Sequence, residues 1–88
     1  MKIVVQKSFE KDIAKVRDKG LALKVLALIE ELETIQKLNE IPHLKKIKTK
    51  DNFYRIRVGQ YRLGLKLEED TLILLRFMDR KDIYKYFP

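Results

Sequence analysis

The chain contains no cysteine. Disulfides, iron–sulfur clusters, cysteine zinc sites and a thiol nucleophile are therefore excluded. There is one histidine, His43, so a histidine-rich metal site is excluded too. Three glycines and two prolines leave little room for linkers or disorder. No long apolar run occurs. The opening MKIVVQKSFEKD breaks at Gln6 and Lys7, which is too short for a signal peptide or a membrane span. Nothing calls for a metal or a cofactor, no membrane partner is expected, and the default location is the cytoplasm.

What the chain does contain is charge. Of its 88 residues, 38% are charged and 45% hydrophobic, which suits one soluble domain, residues 1–88, with a small two-layer core. The net charge is +7, unevenly spread. Residues 1–44 hold eight Lys/Arg against seven Asp/Glu; residues 45–88 hold twelve against six. An excess of one in the first half becomes six in the second. A polarised basic surface suits a polyanion such as nucleic acid, or an acidic protein.

Hydrophobic periodicity organises the chain. MKIVVQ reads as a first strand. Ser8 is a candidate N-cap for a helix starting at Phe9, in which Phe9, Ile13 and Val16 recur at helical spacing. Gly20 ends that helix or begins the next. From Leu21, the positions Leu21, Val25, Leu28, Leu32 and Ile35 form a wide apolar stripe. Packing on a sheet is the plain reading of that stripe; docking of a partner is the alternative. Asn39 to Pro42 breaks the helix. HLKKIKTKDN, residues 43–52, reads as a basic loop, with His43 as a surface residue. Three strand-like runs follow, at 53–58, 61–68 and 71–78. DRKDIYKYFP then makes one or two helical turns, with Asp79 as N-cap. The order β-α-α-β-β-β-α predicts an α+β fold: an antiparallel sheet with two helices on one face.

The hairpin FYRIRVGQYRLGLK, residues 53–66, has four cations and no acid. A two-residue Gly59-Gln60 turn fixes its register. Arg57 then faces Arg62, Arg55 faces Gly64 and Phe53 faces Lys66 on one face of the sheet. Val58/Tyr61, Ile56/Leu63 and Tyr54/Leu65 make the core face. Like charges directly opposed destabilise a sheet by a few tenths to about 1 kcal/mol. A bound phosphate would relieve that repulsion, since arginine is suited to bidentate phosphate contacts. Gly64 leaves a gap beside Arg55 where a ligand could approach. An odd-length loop at Glu68-Glu69-Asp70 would put Ile73, Leu75 and Phe77 on the core face, and Arg76 opposite Arg62. The alternative is that Asp79, Asp82 or a Glu on one of the helices pairs with these arginines.

YRIRVGQYRLGLKLEEDTLILLRF, residues 54–77, and DRKDIYKYF, residues 79–87, resemble the RelE/ParE toxin superfamily of type II toxin–antitoxin systems. The resemblance spans the whole chain and implies a RelE-like fold. Its RelE branch implies a ribosome-dependent endoribonuclease acting on mRNA in the ribosomal A site. The implied chemistry is attack of a ribose 2′-OH on the adjacent phosphate, without a metal. The residues that match are Arg55 and Arg57 on the strand, Arg62 after the turn tyrosine, and Arg80 and Tyr84 near the C-terminus. Lys46, Lys48, Lys50, Lys66, Arg76 and Lys81 are the expected RNA-binding cations. Some relatives carry His just before the C-terminal Arg and Gly before that; here Asp79 and Met78 stand there. Asp79 is a cap or an ion-pair partner ahead of a base. The implied protein partner is a cognate antitoxin. Two other readings stand beside the nuclease: a ParE-like gyrase inhibitor, and a module that binds nucleic acid or antitoxin without catalysis.

Overall fold

The computed structural model describes residues 1–48 and 50–88. In chain order the elements are β1 (Lys2–Val5), α1 (Lys7–Ala14), α2 (Lys19–Thr34), β2 (Leu44–Lys46), β3 (Phe53–Val58), β4 (Tyr61–Glu68), β5 (Thr71–Asp79) and α3 (Arg80–Tyr86), with a 3₁₀ turn at Leu38–Glu40. They build a five-stranded sheet in the order β1-β5-β4-β3-β2. Among the described residues no helix is long and apolar enough to cross a membrane.

The α+β class is as expected, but the sheet is mixed rather than antiparallel. β1 runs parallel to β5, from Lys2 against Thr71 to Val5 against Leu74. Turns fix the directions of β3, β4 and β5. β1 reaches the sheet through a two-helix crossover, so no hairpin fixes its direction. A fifth strand, β2, forms inside the segment read as a loop: Leu44, Lys45 and Lys46 pair with Ile56, Arg55 and Tyr54. Three residues are too few to show a period.

The helix starts also differ in detail. α1 begins at Lys7 after an extended Gln6, with no side-chain cap. Ser8 instead donates its hydroxyl to the carbonyl of Leu75 at 2.6 Å. α2 is capped by Asp18, whose Oδ1 accepts the Leu21 amide at 3.2 Å. Gly20 lies in its first turn. The apolar stripe does pack on the sheet. Val25, Leu32 and Ile35 are buried against Phe9 of α1 and against Ile56, Leu63, Leu65, Leu72, Leu74 and Phe77. Each such side chain contributes about 2 kcal/mol on leaving water.

The β3–β4 register is the expected one at every pair, from Phe53/Lys66 to Val58/Tyr61. Gly59 takes φ 59° in the turn, where glycine has no Cβ to clash. The β4–β5 register corrects the odd-loop expectation. Glu68 pairs with Thr71 across a two-residue turn, and a bulge at Gly64/Leu65 leaves Leu75 without a partner. The core residues before the bulge are thus Leu72 and Leu74, not Ile73 and Leu75; Phe77 follows after it. One extra residue reverses the alternation, so Arg76 stays off the core face even with the short turn. It stands opposite Gly64, not Arg62.

α3 lies on the other face of the sheet. Its buried Ile83 and the following Phe87 belong to a small apolar cluster apart from the main core. The ring of Phe87 sits 2.8 Å from where a Cβ on Gly64 would be, and packs edge-on to Phe53 at 5.8 Å between centroids. The gap at Gly64 is therefore filled by the chain itself rather than left for a ligand.

Candidate active site

Two adjoining cavities lie where β2, β3 and β4 meet α3. One, of about 200 Å³, is lined by His43, Lys45, Arg55, Arg57, Arg62 and Tyr84. The other, of about 450 Å³, shares His43, Arg57 and Arg62 and adds Arg80 beside the Gly59-Gln60 turn. Among the described residues, no carboxylate lines either one. All five residues expected to act in catalysis thus converge on one place.

The sheet pleat positions the arginines. Arg55 and Arg57 are two apart on β3 and share a face, and Arg62 projects from β4 beside them. Arg57 and Arg62 are directly opposed, yet their head groups turn apart. Nη1 of Arg62 folds back to donate to the carbonyls of Gly59 at 3.0 Å and Tyr61 at 2.9 Å. Nη2 of Arg57 reaches the other way, to Nδ1 of His43 at 3.1 Å. Each thereby finds an uncharged acceptor, which eases the repulsion without an acid. The guanidinium of Arg55 lies 4.9 Å from the centroid of the Tyr84 ring, a cation–π stack that ties β3 to α3. Tyr84 is 64% exposed, so one face of its ring is open.

α3 is placed by its first turn. Asp79 accepts the Lys81 amide on Oδ1 at 2.9 Å, as the capping reading requires, and the Arg80 amide donates to the carbonyl of Gln60 at 2.9 Å. Among the described residues the acid alternative fails for Arg55, Arg57 and Arg62 and holds for Arg76, which pairs with Asp12 of α1. Asp79 and Asp82 line a different cavity, beside Asp12 and Tyr61.

The expected RNA-binding cations divide. Lys46 and Lys48 line a third cavity that continues from Arg55 and Tyr84. Lys50 and Lys81 are exposed and line none of these cavities. Lys66 is paired with Glu68 at 2.7 Å and lies over the Phe53 ring. Arg76 is held at the sheet edge by Asp12, through Nε to Oδ2 at 2.8 Å and Nη2 to Oδ1 at 3.2 Å. That pairing raises the Arg76 pKa above its ordinary value, with the hydrogen bond to Asp12 the main cause.

Two residues of the site were not expected there. Lys45 and His43 were placed in a loop. Once Leu44–Lys46 pairs with β3, Lys45 stands opposite Arg55. His43 comes next in line with Arg57, whose amide donates to the His43 carbonyl at 3.4 Å. The missing signal was pairing of the short β2.

A family described as ParE toxins of type II toxin–antitoxin systems matches residues 3–84. The chain belongs to that family. It is also 42% identical, over the full length of both chains, to Toxin RelE3 of Methanocaldococcus jannaschii. The toxin superimposes on the crystal structure of the RelB–RelE antitoxin–toxin complex from Methanococcus jannaschii with a TM-score of 0.83 and 40% identity, covering 97% of this chain and 99% of that one. An archaeal RelE–RelB complex from Pyrococcus horikoshii gives 0.73 at 19% identity, covering 90% and 93%; at that distance the likeness is one of fold. The RelE/ParE toxin superfamily, and with it the role of toxin in a type II toxin–antitoxin system, is thereby established.

Proposed function

We propose that this toxin is an endoribonuclease that cleaves mRNA in the ribosomal A site. The observation that carries the reading is the convergence of Arg55, Arg57, Arg62, Lys45 and Tyr84 on one cavity with no acid among its described lining residues. Such a cavity suits a phosphodiester, whose charge grows as the 2′-OH attacks phosphorus. Preorganised cations aimed at that charge lower the barrier more than any other single device in this kind of catalysis. Arg55, Arg57 and Arg62 hold the phosphate, and Arg80 in the adjoining cavity meets the leaving side. Tyr84, already stacked on Arg55, offers its open face to a base. The cations of the chain supply the charge that a metal would otherwise bring. Lys46 and Lys48 continue the track for the strand.

The Methanococcus jannaschii relative is seen in complex with an antitoxin. By the same logic this toxin has a cognate antitoxin, whose capture its basic surface would speed if the partner is acidic.

The family's ParE description favours a second reading, inhibition of gyrase without nuclease activity. Induction followed by primer extension separates the two. New 5′ ends within translated codons, lost in Arg62→Ala, are the expected result. Growth arrest with intact mRNA and gyrase-dependent DNA damage would replace the ribonuclease reading with the gyrase one.

A further inference from the structure

An arginine guanidinium has donors only. Nδ1 of His43, 3.1 Å from Nη2 of Arg57, is therefore an acceptor and carries no proton of its own. A second bond, from the Arg57 amide to the His43 carbonyl, fixes the backbone beneath. His43 takes φ 61° there, in the left-handed region that Asn, Asp and His tolerate best after glycine. The charged and titratable groups that line the same two cavities come from every neighbouring element: Lys45 from β2, Arg55 and Arg57 from β3, Arg62 from β4, Arg80 and Tyr84 from α3. The imidazole is thus the one uncharged nitrogen acceptor among the described side chains of a cavity of cations.

Phosphate competes for Arg57. A charge-assisted guanidinium–phosphate pair is roughly twice as strong as a hydrogen bond between neutral partners, and it is commonly bidentate. A phosphodiester in the cavity draws Arg57 toward itself and uncovers Nδ1. We propose that His43 is the proton acceptor of the cleavage reaction, and that the substrate arms it by pulling Arg57 off Nδ1. The proposal rests on the ribonuclease reading above.

In this step the O2′–H proton passes to Nδ1 as the O2′–P bond forms and the P–O5′ bond breaks. The departing O5′ takes a proton from water. The products are a 2′,3′-cyclic phosphate and a 5′-hydroxyl, and the imidazolium returns its proton to water. Imidazole suits this work because its ordinary pKa lies near neutrality. Asp79, the carboxylate the sequence offers instead, is occupied by the Lys81 amide and lines another cavity.

The chain has a single histidine, so its ring nitrogen signals belong to one site. Two variants test the role. His43→Ala removes the ring, and His43→Asn removes it while keeping a residue that tolerates the left-handed backbone. Cleavage of mRNA on programmed ribosomes should fall by about 10²–10³-fold in kcat in both. Binding of an RNA oligonucleotide with 2′-O-methyl riboses, which cannot be cleaved, should stay within about twofold of wild type, since the phosphate contacts are retained. The acid limb of the pH–rate profile should vanish in both variants, and added imidazole should restore part of the activity of His43→Ala. The same oligonucleotide should shift the Nδ1 resonance of the wild type as its hydrogen bond to Arg57 is lost. If wild type cleaves and both variants keep pace, or if Nδ1 does not respond at saturation, the proposal is overturned while the ribonuclease reading stands. If wild type cleaves nothing, the ribonuclease reading falls and takes this proposal with it.

Discussion

One carboxylate, that of Asp12, holds both the side chain of Arg76 and the amide of the next residue. Its Oδ2 accepts from Arg76 Nε at 2.8 Å and from the Phe77 amide at 2.9 Å. Past Leu74, β1 no longer covers β5, and α1 takes its place along the open edge. Asp12 and Ser8 satisfy backbone groups that would otherwise lack a strand partner. Asp12 is only 7% exposed. Asp12→Ala leaves a buried amide and an arginine unpaired. It should cost about 3 kcal/mol and lower Tm by about 15 °C. Asp12→Asn keeps an oxygen for the Phe77 amide and should cost about half as much. Circular-dichroism melts decide it; losses below about 1 kcal/mol would mean that the edge is held by packing alone. Because the Arg76 pKa is raised, its share of this stability is fully present at neutral pH. It is lost only as pH climbs through the strongly alkaline range.

Gly64→Ala should destabilise by about 1–3 kcal/mol, since the new methyl would meet the Phe87 ring at 2.8–2.9 Å. The loss should shrink when Phe87 is already Ala. A double-mutant cycle in urea reads the coupling. Additive losses would show that the close approach is not what Gly64 serves.

Tyr84→Phe should retain most cleavage activity, because the stack on Arg55 needs the ring and not the hydroxyl. Tyr84→Ala should lose about 1–3 kcal/mol of RNA binding. Single-turnover rates and binding of a non-cleavable RNA distinguish the two. A Phe variant as inactive as Ala would assign the hydroxyl a proton-transfer role.

Salt dependence sorts the cations. For a single strand, each phosphate contact contributes about 0.7 to the slope of log K against log salt. Arg55→Gln should flatten the slope by about that amount. Lys66→Gln should leave it unchanged, because Lys66 is paired with Glu68. A flatter slope for the Lys66 variant would extend the RNA path past Phe87.

Arg57→Thr should change stability by no more than about 0.5 kcal/mol, since it removes the charge opposite Arg62 along with one exposed hydrogen bond. A larger loss in chemical denaturation would make Arg57 a structural residue.

Much of this was legible in the residues. Alternation and a Gly-Gln turn were enough to align β3 with β4 pair by pair, because a period of two and a short loop leave one register. The arginine cluster followed from that register. What escaped was set by contacts distant in sequence. Three residues of β2 carry no readable period, so His43 and Lys45 stayed in a loop until β3 supplied their partner. The bulge beside Leu75 cannot be seen in LEEDTLILLRF, where nearly every position after the turn is apolar and either parity fits. Nothing in the sequence around Asp12 sets it apart. Only the free edge of β5 gives it Arg76, and so takes Arg76 from the site.

The seat of Phe87 on Gly64 also bears on how such a sequence can drift. A side chain at position 64 and an aromatic ring at position 87 exclude each other. Neutral substitution at one position is therefore conditional on the other. Relatives should pair glycine with a large ring, or a larger residue at 64 with a smaller one at 87, and the mixed combination should be rare. The two positions lie 23 residues apart in the chain, yet in evolutionary terms they should behave as a single character.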